Sequence, residues 1–438
     1  MITVNLNWEW FILTCAIIGI TRLLFLRFLP LKLISITTAA TVGFGFFLVL
    51  PILGYSNLFA ISVWEYSCSV WLAYLSFLVG ATIARQLLGE NKVAKSTPSQ
   101  NILLSNFALV YCIIWVLILL IEFFQIGGFG HMRDVIFGGW AHYELLAQIG
   151  GLMQYNPGLS FFELGKIFLD NVFLCLWVLV YIRMPKRAML IWVVYILTNL
   201  GEYISRAALL GLILIPFLTY VMLNRPSLRR ITLTSGILLI LTLVFSSWDS
   251  AVRLGLNTNV SREQVFLDTM RDAGNSAVPA TVILSENIRG NPSAYFMALA
   301  TFLIPRSIWN DKPNEQYNYE MTYQLTGSII GQGTSVVTST MLGEAWYYFG
   351  WSGTIWLMLM FGFSAYFFEH VLSRNIYFLG LFFEIFYLTV IYIRSTFLTY
   401  YQAGIAAVLA AIAVKIILTV LGARQRHSQV AASSIMTN

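Results

Sequence analysis

The chain has 438 residues, of which 58% are hydrophobic and only 11% are charged, with a formal net charge of +6. Soluble domains carry roughly 25% charged residues, so this chain has too few of them to cover a globular surface. The composition excludes a soluble globular protein and predicts an integral membrane protein. The net positive charge comes from residues in loops and does not indicate a nucleic-acid-binding surface.

Eleven apolar segments of membrane-spanning length follow one another along the chain. Each is continuously apolar, whereas the strands of a membrane barrel alternate, so we predict an all-α polytopic membrane protein. About 11 transmembrane helices are expected, within a range of 10–12. The segments are 8–26, 33–53, 68–84, 102–124, 167–182, 189–205, 207–224, 231–248, 352–369, 376–393 and 403–421.

Basic residues lie in every second connection between these segments. The positive-inside rule then predicts an N-terminus outside and a C-terminal tail in the cytoplasm. The alternative, an even number of helices with both ends inside, requires one boundary to be redrawn. The basic residues are Arg22, Arg27, Lys32, Arg85, Lys92, Lys95, Arg183, Lys186, Arg187, Arg225, Arg229, Arg230, Arg374, Arg424 and Arg426.

Two outer connections are much longer than turns. The N-terminal region 1–249 contains a smaller outer loop at 125–165, and a large loop at 250–351 precedes the C-terminal region 352–438. We expect short interfacial or re-entrant helices in these loops. The stretch Ala294–Ile304, for example, has about 11 residues and is too short to span a bilayer. The larger loop is the predicted location of the active site.

Two ionisable residues fall inside predicted spanning segments, where a charge costs about 2.5–3.5 kcal/mol. Glu384 and Lys415 lie at comparable depths in segments that run antiparallel. We expect the two to pair and hold their helices in register. Snorkelling of Lys415 and a transport or proton-relay role are the alternatives.

Arg206 stands at an outer turn, where the positive-inside rule disfavours an arginine. It also precedes an apolar segment, so the N–H groups of a helix start would lie beside its guanidinium. Together they predict a phosphate clamp, because the guanidinium fork matches two phosphate oxygens. A salt bridge to nearby Glu202 is the alternative.

The large loop repeats this pairing of charges. Arg271 and Asp272 are adjacent, so on a helix they would point about 100° apart and serve different partners. In Ile304–Pro313, two prolines stiffen a backbone that carries Arg306, Trp309 and Lys312. Cations beside an aromatic ring suit an anionic sugar phosphate; an interfacial tryptophan anchor with solvated charges is the alternative.

Glu344 begins the run that leads into the ninth segment. It either orients a sugar hydroxyl or caps and charges the start of a helix. His131 and His142 lie in the smaller loop without a carboxylate or cysteine cluster at ligand spacing, so no metal site is expected.

Over roughly residues 200–370 the chain resembles the Wzy-type oligosaccharide repeat-unit polymerases, the O-antigen and exopolysaccharide polymerase group. The most specific match is IPRSIWNDKP at Ile304–Pro313. The other matches are SRAALLG at Ser205–Gly211, RDAG at Arg271–Gly274 and GEAWYYFG at Gly343–Gly350.

The resemblance implies a GT-C-like glycosyltransferase of the bacterial inner membrane, with the large loop on the periplasmic side. It would transfer a glycan from undecaprenyl pyrophosphate to the non-reducing end of a lipid-linked repeat unit, and no cofactor is expected. Expected partners are that lipid-linked oligosaccharide, the bilayer, a chain-length regulator and a flippase; no nucleic acid is expected. An O-antigen ligase and a lipid-linked-oligosaccharide flippase are the competing interpretations.

This chemistry needs positive charge where the pyrophosphate leaves and a carboxylate that takes the proton of the acceptor hydroxyl. Asp272 is the first choice for the base and Glu344 the second, with Arg271 as a catalytic arginine. The predicted pyrophosphate ligands are Arg206, Arg271, Arg306 and Lys312, and the predicted sugar contacts are Trp309 and Asp311.

Overall fold

The computed structural model describes residues 7–30, 32, 34–90, 102–125, 128–129, 157–200, 206–224, 226–227, 229, 276–304, 308–309, 321–324 and 339–436. The regular elements in these ranges are all helical. The main ones are α1 Trp8–Leu24, α2 Ile36–Phe44, α3 Leu50–Tyr55, α4 Val63–Leu88, α5 Ile102–Gln125, α6 Pro157–Arg183, α7 Pro185–Leu200, α8 Arg206–Asn224, α9 Ser276–Ser285, α10 Pro292–Thr301, α11 Met341–Phe349, α12 Gly353–Ser373, α13 Leu379–Tyr392 and α14 Phe397–Met436.

Six helical stretches in the described ranges are long and apolar enough to cross a membrane. The chain is therefore a multi-pass helical membrane protein, and the predicted all-α polytopic class is confirmed. The predicted eighth segment, 231–248, lies outside the described residues. The six stretches are Ile36–Leu58, Val63–Leu88, Leu104–Gln125, Gly165–Arg183, Met341–Ser373 and Phe397–Leu421.

Short polar side chains define where several helices begin. Asn7, Ser35, Ser62, Asn291 and Thr340 each accept a backbone N–H from the first turn of the helix that follows. Such N-caps satisfy donors that have no partner within the helix. The apolar runs thus become helices whose starts are set by the polar residues flanking them.

The centre of the bundle is the crossing of α4 and α12. A Cβ atom on Gly80 would lie 2.1 Å from the carbonyl oxygen of Leu359, and one on Gly362 would lie 1.9 Å from that of Phe77. Only glycine allows backbones to approach this closely, as is common where membrane helices pack. The two glycines therefore set the closest approach of these helices.

Helix ends that the charge pattern places on the same side of the membrane lie together. The N–H of Ile36 donates to Glu369 Oε2 at 2.8 Å, which joins the start of α2 to the end of α12. The N–H of Ala60 donates to Thr281 Oγ1 at 3.0 Å, which joins the connection before α4 to the predicted large loop. These contacts fit the alternation of inner and outer connections.

The predicted pairing of Glu384 and Lys415 is wrong. Glu384 lies on α13 with its Oε2 buried, whereas Lys415 is exposed on α14, and no ion pair joins them. The equal depth predicted from the sequence therefore does not bring the two side chains together. Hydropathy along the chain indicates depth and does not indicate which face meets a neighbour.

The C-terminal end of the predicted large loop is a separate buried helix, α11, which folds back against the start of α12. Gly350 adopts a φ of 62° and a ψ of −149°, backbone angles available essentially to glycine alone, and its N–H donates to Trp346 O at the end of α11. A Cβ on Gly353 would lie 2.0 Å from Ala345 O. Trp346 Nε1 then donates to Thr354 Oγ1 at 2.9 Å across the turn.

Candidate functional site

The structure describes three of the predicted site residues, two of them with their side chains. Arg206 is the first residue of α8, so its predicted position at a helix start is confirmed; its side chain and Glu202 lie outside the description. Trp309 is partly exposed, and Glu344 is fully buried. The predicted residues outside the described ranges are Arg271, Asp272, Arg306, Asp311 and Lys312.

Glu344 connects three helices through hydrogen bonds to its carboxylate. Its Oε2 accepts the N–H of Phe397 at 2.5 Å, and its Oε1 accepts the N–H of Leu398 at 3.4 Å. The hydroxyl of Tyr295 donates to Oε1 at 3.2 Å. Since Glu344 lies on α11, Tyr295 on α10 and Phe397 at the start of α14, one carboxylate fastens these three helices together.

These bonds make Glu344 the N-terminal cap of α14. A carboxylate at a helix N-terminus satisfies free N–H groups and interacts favourably with the helix dipole. Its own helix, α11, is capped by Thr340, whose Oγ1 accepts the N–H of Gly343 at 3.3 Å. Glu344 therefore does cap a helix start, although that helix follows 53 residues later; its role as a second-choice base stays a prediction.

Helix α10 has 10 residues and is too short to span a bilayer, as predicted for this part of the loop. Tyr295 anchors it, because its ring is fully buried and its centroid lies 4.4 Å from that of Tyr348 on α11. Phe349 contacts the same ring at 5.6 Å. Aromatic packing and the bond to Glu344 thus hold α10 against α11.

The segment between α9 and α10 binds the other end of α11. Arg289 Nη1 donates to Trp346 O at 2.5 Å, and the N–H of Gly290 donates to Tyr347 O at 2.9 Å. The last carbonyl groups of a helix lack partners within it, so these donors complete its C-terminus. The guanidinium also lies against Gly350, where a Cβ would be 3.2 Å from Nη2.

Arg394 is a residue that the sequence interpretation missed. It lies between α13 and α14, and its Nε donates to Ser276 Oγ at 3.2 Å at the start of α9. The neighbouring Ile393 accepts the N–H of Met341 at 3.0 Å. The available signal was an arginine in a connection predicted to lie outside, which is the same signal that identified Arg206.

Together these contacts form one polar assembly, here called the Glu344 junction: Ser276, Arg289, Tyr295, Glu344 and Arg394. It joins α9, α10 and α11 to the start of α14. Arg289 is exposed, and Arg394 is partly exposed. Arg394 contacts α9, which precedes residues 305–338, and Arg289 contacts α11, which follows them. One guanidinium group therefore lies at each flank of that part of the loop.

Among the residues that the structure describes, no group of three or more His, Cys, Asp or Glu side chains could hold a metal ion. The chemistry available at the junction is that of guanidinium groups, hydroxyl groups and a carboxylate committed to hydrogen bonds. No family model, curated protein or solved structure matches the chain.

Proposed function

We propose that the chain is a membrane glycosyltransferase that polymerises lipid-linked oligosaccharide repeat units. It would transfer the growing glycan from undecaprenyl pyrophosphate to the non-reducing end of a new unit, at the periplasmic face of a bacterial inner membrane. The proposal includes about eleven transmembrane helices in a GT-C-like arrangement, with the loop 250–351 outside.

The observation that carries the proposal is the stretch Ile304–Pro313, which combines arginine, tryptophan and lysine between two prolines. The Glu344 junction supports it. Helix α10 precedes this stretch and α11 follows the loop, and the bond between Tyr295 and Glu344 joins the two helices. The loop that carries the stretch is therefore fastened to the membrane bundle at both of its ends.

The proposed reaction forms a bond between the acceptor hydroxyl oxygen and the anomeric carbon of the donor glycan. The bond from that carbon to the pyrophosphate oxygen breaks, and undecaprenyl pyrophosphate leaves with the electron pair. Arg206 and Arg271 are proposed to stabilise its charge, with support from Arg306 and Lys312. Asp272 is proposed to take the proton of the hydroxyl.

Glu344 fits this mechanism as a positioning residue. Its carboxylate is 0% exposed and accepts bonds from Tyr295, Phe397 and Leu398. It would hold the loop anchors in place while Asp272, four residues before Ser276, acts on the substrate. Trp309, partly exposed after α10, is proposed to stack on a sugar face, with Asp311 bonding its hydroxyl groups.

The test gives the purified full-length protein only the undecaprenyl-pyrophosphate-linked repeat unit. A polymerase produces a ladder of lengthening glycans. An O-antigen ligase produces no chain longer than one unit under these conditions, because it needs lipid A as its acceptor. A reaction without longer chains therefore contradicts the proposal.

A lipid-linked-oligosaccharide flippase is the second candidate, because Glu384 is a carboxyl group on an apolar helix and has no pairing cation among the described residues. Removing residues 310–338 would keep the helices α10 and α11 that fasten the loop. Full translocation activity in that variant would favour the flippase, whereas the polymerase proposal expects loss of polymer.

A further inference from the structure

A partly open cavity of about 240 Å³ lies between α6, α7, α8 and α13. Its walls are largely aromatic and aliphatic, with one acidic and one amide side chain. The lining residues are Leu174, Trp192, Tyr195, Asn199, Gly211, Leu212, Ile215, Glu384, Tyr387 and Leu388.

The acidic lining residue is Glu384. Its Oε2 is buried and has no hydrogen-bond partner among the described residues. Asp170 on α6 is a neighbouring carboxyl group, and its Oδ1 accepts the hydroxyl of Tyr195 at 3.3 Å and Trp115 Nε1 at 2.8 Å. Two neighbouring carboxyl groups in an apolar environment repel each other when charged, so a cation between or beside them stabilises both.

Two contacts fix the helices that line the cavity. Trp192 Nε1 donates to Leu212 O at 2.8 Å and so ties α7 to α8. Gly211 on α8 allows the ring of Tyr387 on α13 to approach, since a Cβ there would lie 2.6 Å from the ring. Packing of this kind normally fills interior space, so an open volume that persists beside an acidic group is a ligand-site candidate.

Asn199 supplies a second polar group at the wall. Its Nδ2 donates to Tyr195 O at 2.8 Å, which fixes the amide and leaves its Oδ1 as a hydrogen-bond acceptor. Of the ten lining residues, none is basic. The polar groups that line the cavity can therefore accept hydrogen bonds from a donor with positive charge.

We propose that this cavity binds a small organic cation, an amine that carries an apolar body. The ammonium group would lie at Glu384, with Asn199 Oδ1 as a further acceptor. The rings of Tyr195 and Tyr387 favour a cation, because aromatic faces attract positive charge within about 6 Å. The leucine and isoleucine side chains would contact the apolar body.

An amine fits these walls better than a hard metal ion does. Calcium takes roughly 6–8 oxygen ligands and magnesium about six, whereas the cavity offers the carboxylate of Glu384 and one amide oxygen. The lining residues are also distinct from those of the Glu344 junction, although α8 begins with Arg206 of the proposed pyrophosphate site. They lie on α6, α7, α8 and α13, whereas the Glu344 junction involves α9, α10, α11 and α14.

The test measures binding of benzylammonium to the purified full-length protein in detergent micelles, by calorimetry and by the fluorescence of Trp192 and the other tryptophans. Benzyl alcohol is the neutral control of similar shape. We expect saturable binding of one benzylammonium per chain and weaker binding of the alcohol. Replacing Glu384 by glutamine should weaken the binding of benzylammonium by at least about tenfold, which is equivalent to the loss of about 1.4 kcal/mol from a charged hydrogen bond.

Glu122→Gln is the matched control, because Glu122 is a membrane-helix carboxylate that pairs with Lys166 at 3.1 Å and does not line the cavity. This variant should bind benzylammonium like the wild type. Leu388→Phe fills the cavity while keeping Glu384 and Asp170. It should weaken the binding of benzylammonium and of benzyl alcohol to a similar degree. This variant provides the test if Glu384→Gln does not fold.

No saturable binding to the wild type at millimolar benzylammonium would overturn the proposal. Equal affinity of wild type and a folded Glu384→Gln variant, or equal affinity for the alcohol and the cation, would do the same. Each of these outcomes is independent of whether the protein makes polymer, since no glycan is present in the measurement.

Discussion

Two buried glutamates near opposite ends of α12 cap different helices, and their surroundings differ. Glu344 lies on α11, beside the start of α12, and caps α14 through Phe397 and Leu398. Glu369 lies in the last part of α12, 16 residues after Gly353, and accepts the N–H of Ile36 at the start of α2. At about 1.5 Å per residue, those 16 residues span roughly 24 Å.

The described contacts of the two acids differ. Glu344 receives its described bonds from neutral donors, namely two backbone N–H groups and the hydroxyl of Tyr295. Glu369 lies near Arg22, which is only 6% exposed and interacts with it electrostatically. The first acid therefore fastens a loop to the bundle, whereas the second also balances a buried positive charge.

The largest expected effect comes from Glu344→Ala. It removes three hydrogen bonds and leaves buried N–H groups of α14 without partners, which should cost about 3–5 kcal/mol of unfolding free energy. Denaturant unfolding in detergent measures it. Glu286→Ala is the control, because Glu286 is exposed in the same loop. Equal stability of the two variants would refute the capping role.

Glu369→Ala should destabilise the protein by about 2–4 kcal/mol, because it leaves Arg22 buried without its acidic neighbour. Adding Arg22→Met should restore at least half of the loss, since the uncompensated charge is then gone. The same Arg22→Met change should not rescue Glu344→Ala. If both acids respond alike in this double-mutant cycle, the distinction between them fails.

Tyr295→Phe isolates the bond between the loop helix and Glu344. The ring stays in place while one hydroxyl is lost, so the cost should be about 1 kcal/mol. Hydrogen exchange in residues 292–301 should become faster. Tyr366→Phe is the matched control, because its hydroxyl donates to Gly89 O at 2.8 Å near the other end of α12. Unchanged exchange in residues 292–301 of Tyr295→Phe would contradict the anchoring role.

Gly350→Ala should have an effect of about 1–2 kcal/mol. Gly350 has a φ of 62° and a ψ of −149°, a conformation that costs a residue with a Cβ on the order of 1–3 kcal/mol, and a Cβ would also press on the guanidinium of Arg289. Thermal unfolding measures the loss. Gly19→Ala is the control, since nothing lies within 4 Å of a Cβ there; an equal or larger loss in the control would contradict this explanation.

Helix existence could be predicted from the sequence, because each span is an apolar run that must satisfy its own backbone. The predicted segment 352–369 and α12 agree closely for this reason. The break at Gly350 was not predicted, since hydropathy does not report the positive φ that separates α11 from α12. Arg22, expected in a connection, instead lies within α1 and bonds Leu29 O.

The partners within the candidate site could not be predicted, because they are distant in the chain. Glu344 and Phe397 are 53 residues apart, and Tyr295 and Glu344 are 49 apart. Glu369 and Ile36 are separated by 333 residues. Only the packing of the helices brings these groups together, so a motif such as GEAWYYFG indicates the acid but not what it caps.

The most direct test of the proposed activity is the glycan ladder made by purified variants from the lipid-linked repeat unit. The proposal predicts no polymer from Arg206→Ala or Arg271→Ala, and poor rescue by lysine, which lacks the two-pronged geometry of arginine. Arg374→Ala, in a connection predicted to face the cytoplasm, should make polymer like the wild type. Polymer of wild-type length from both Arg206→Ala and Arg271→Ala would contradict the account.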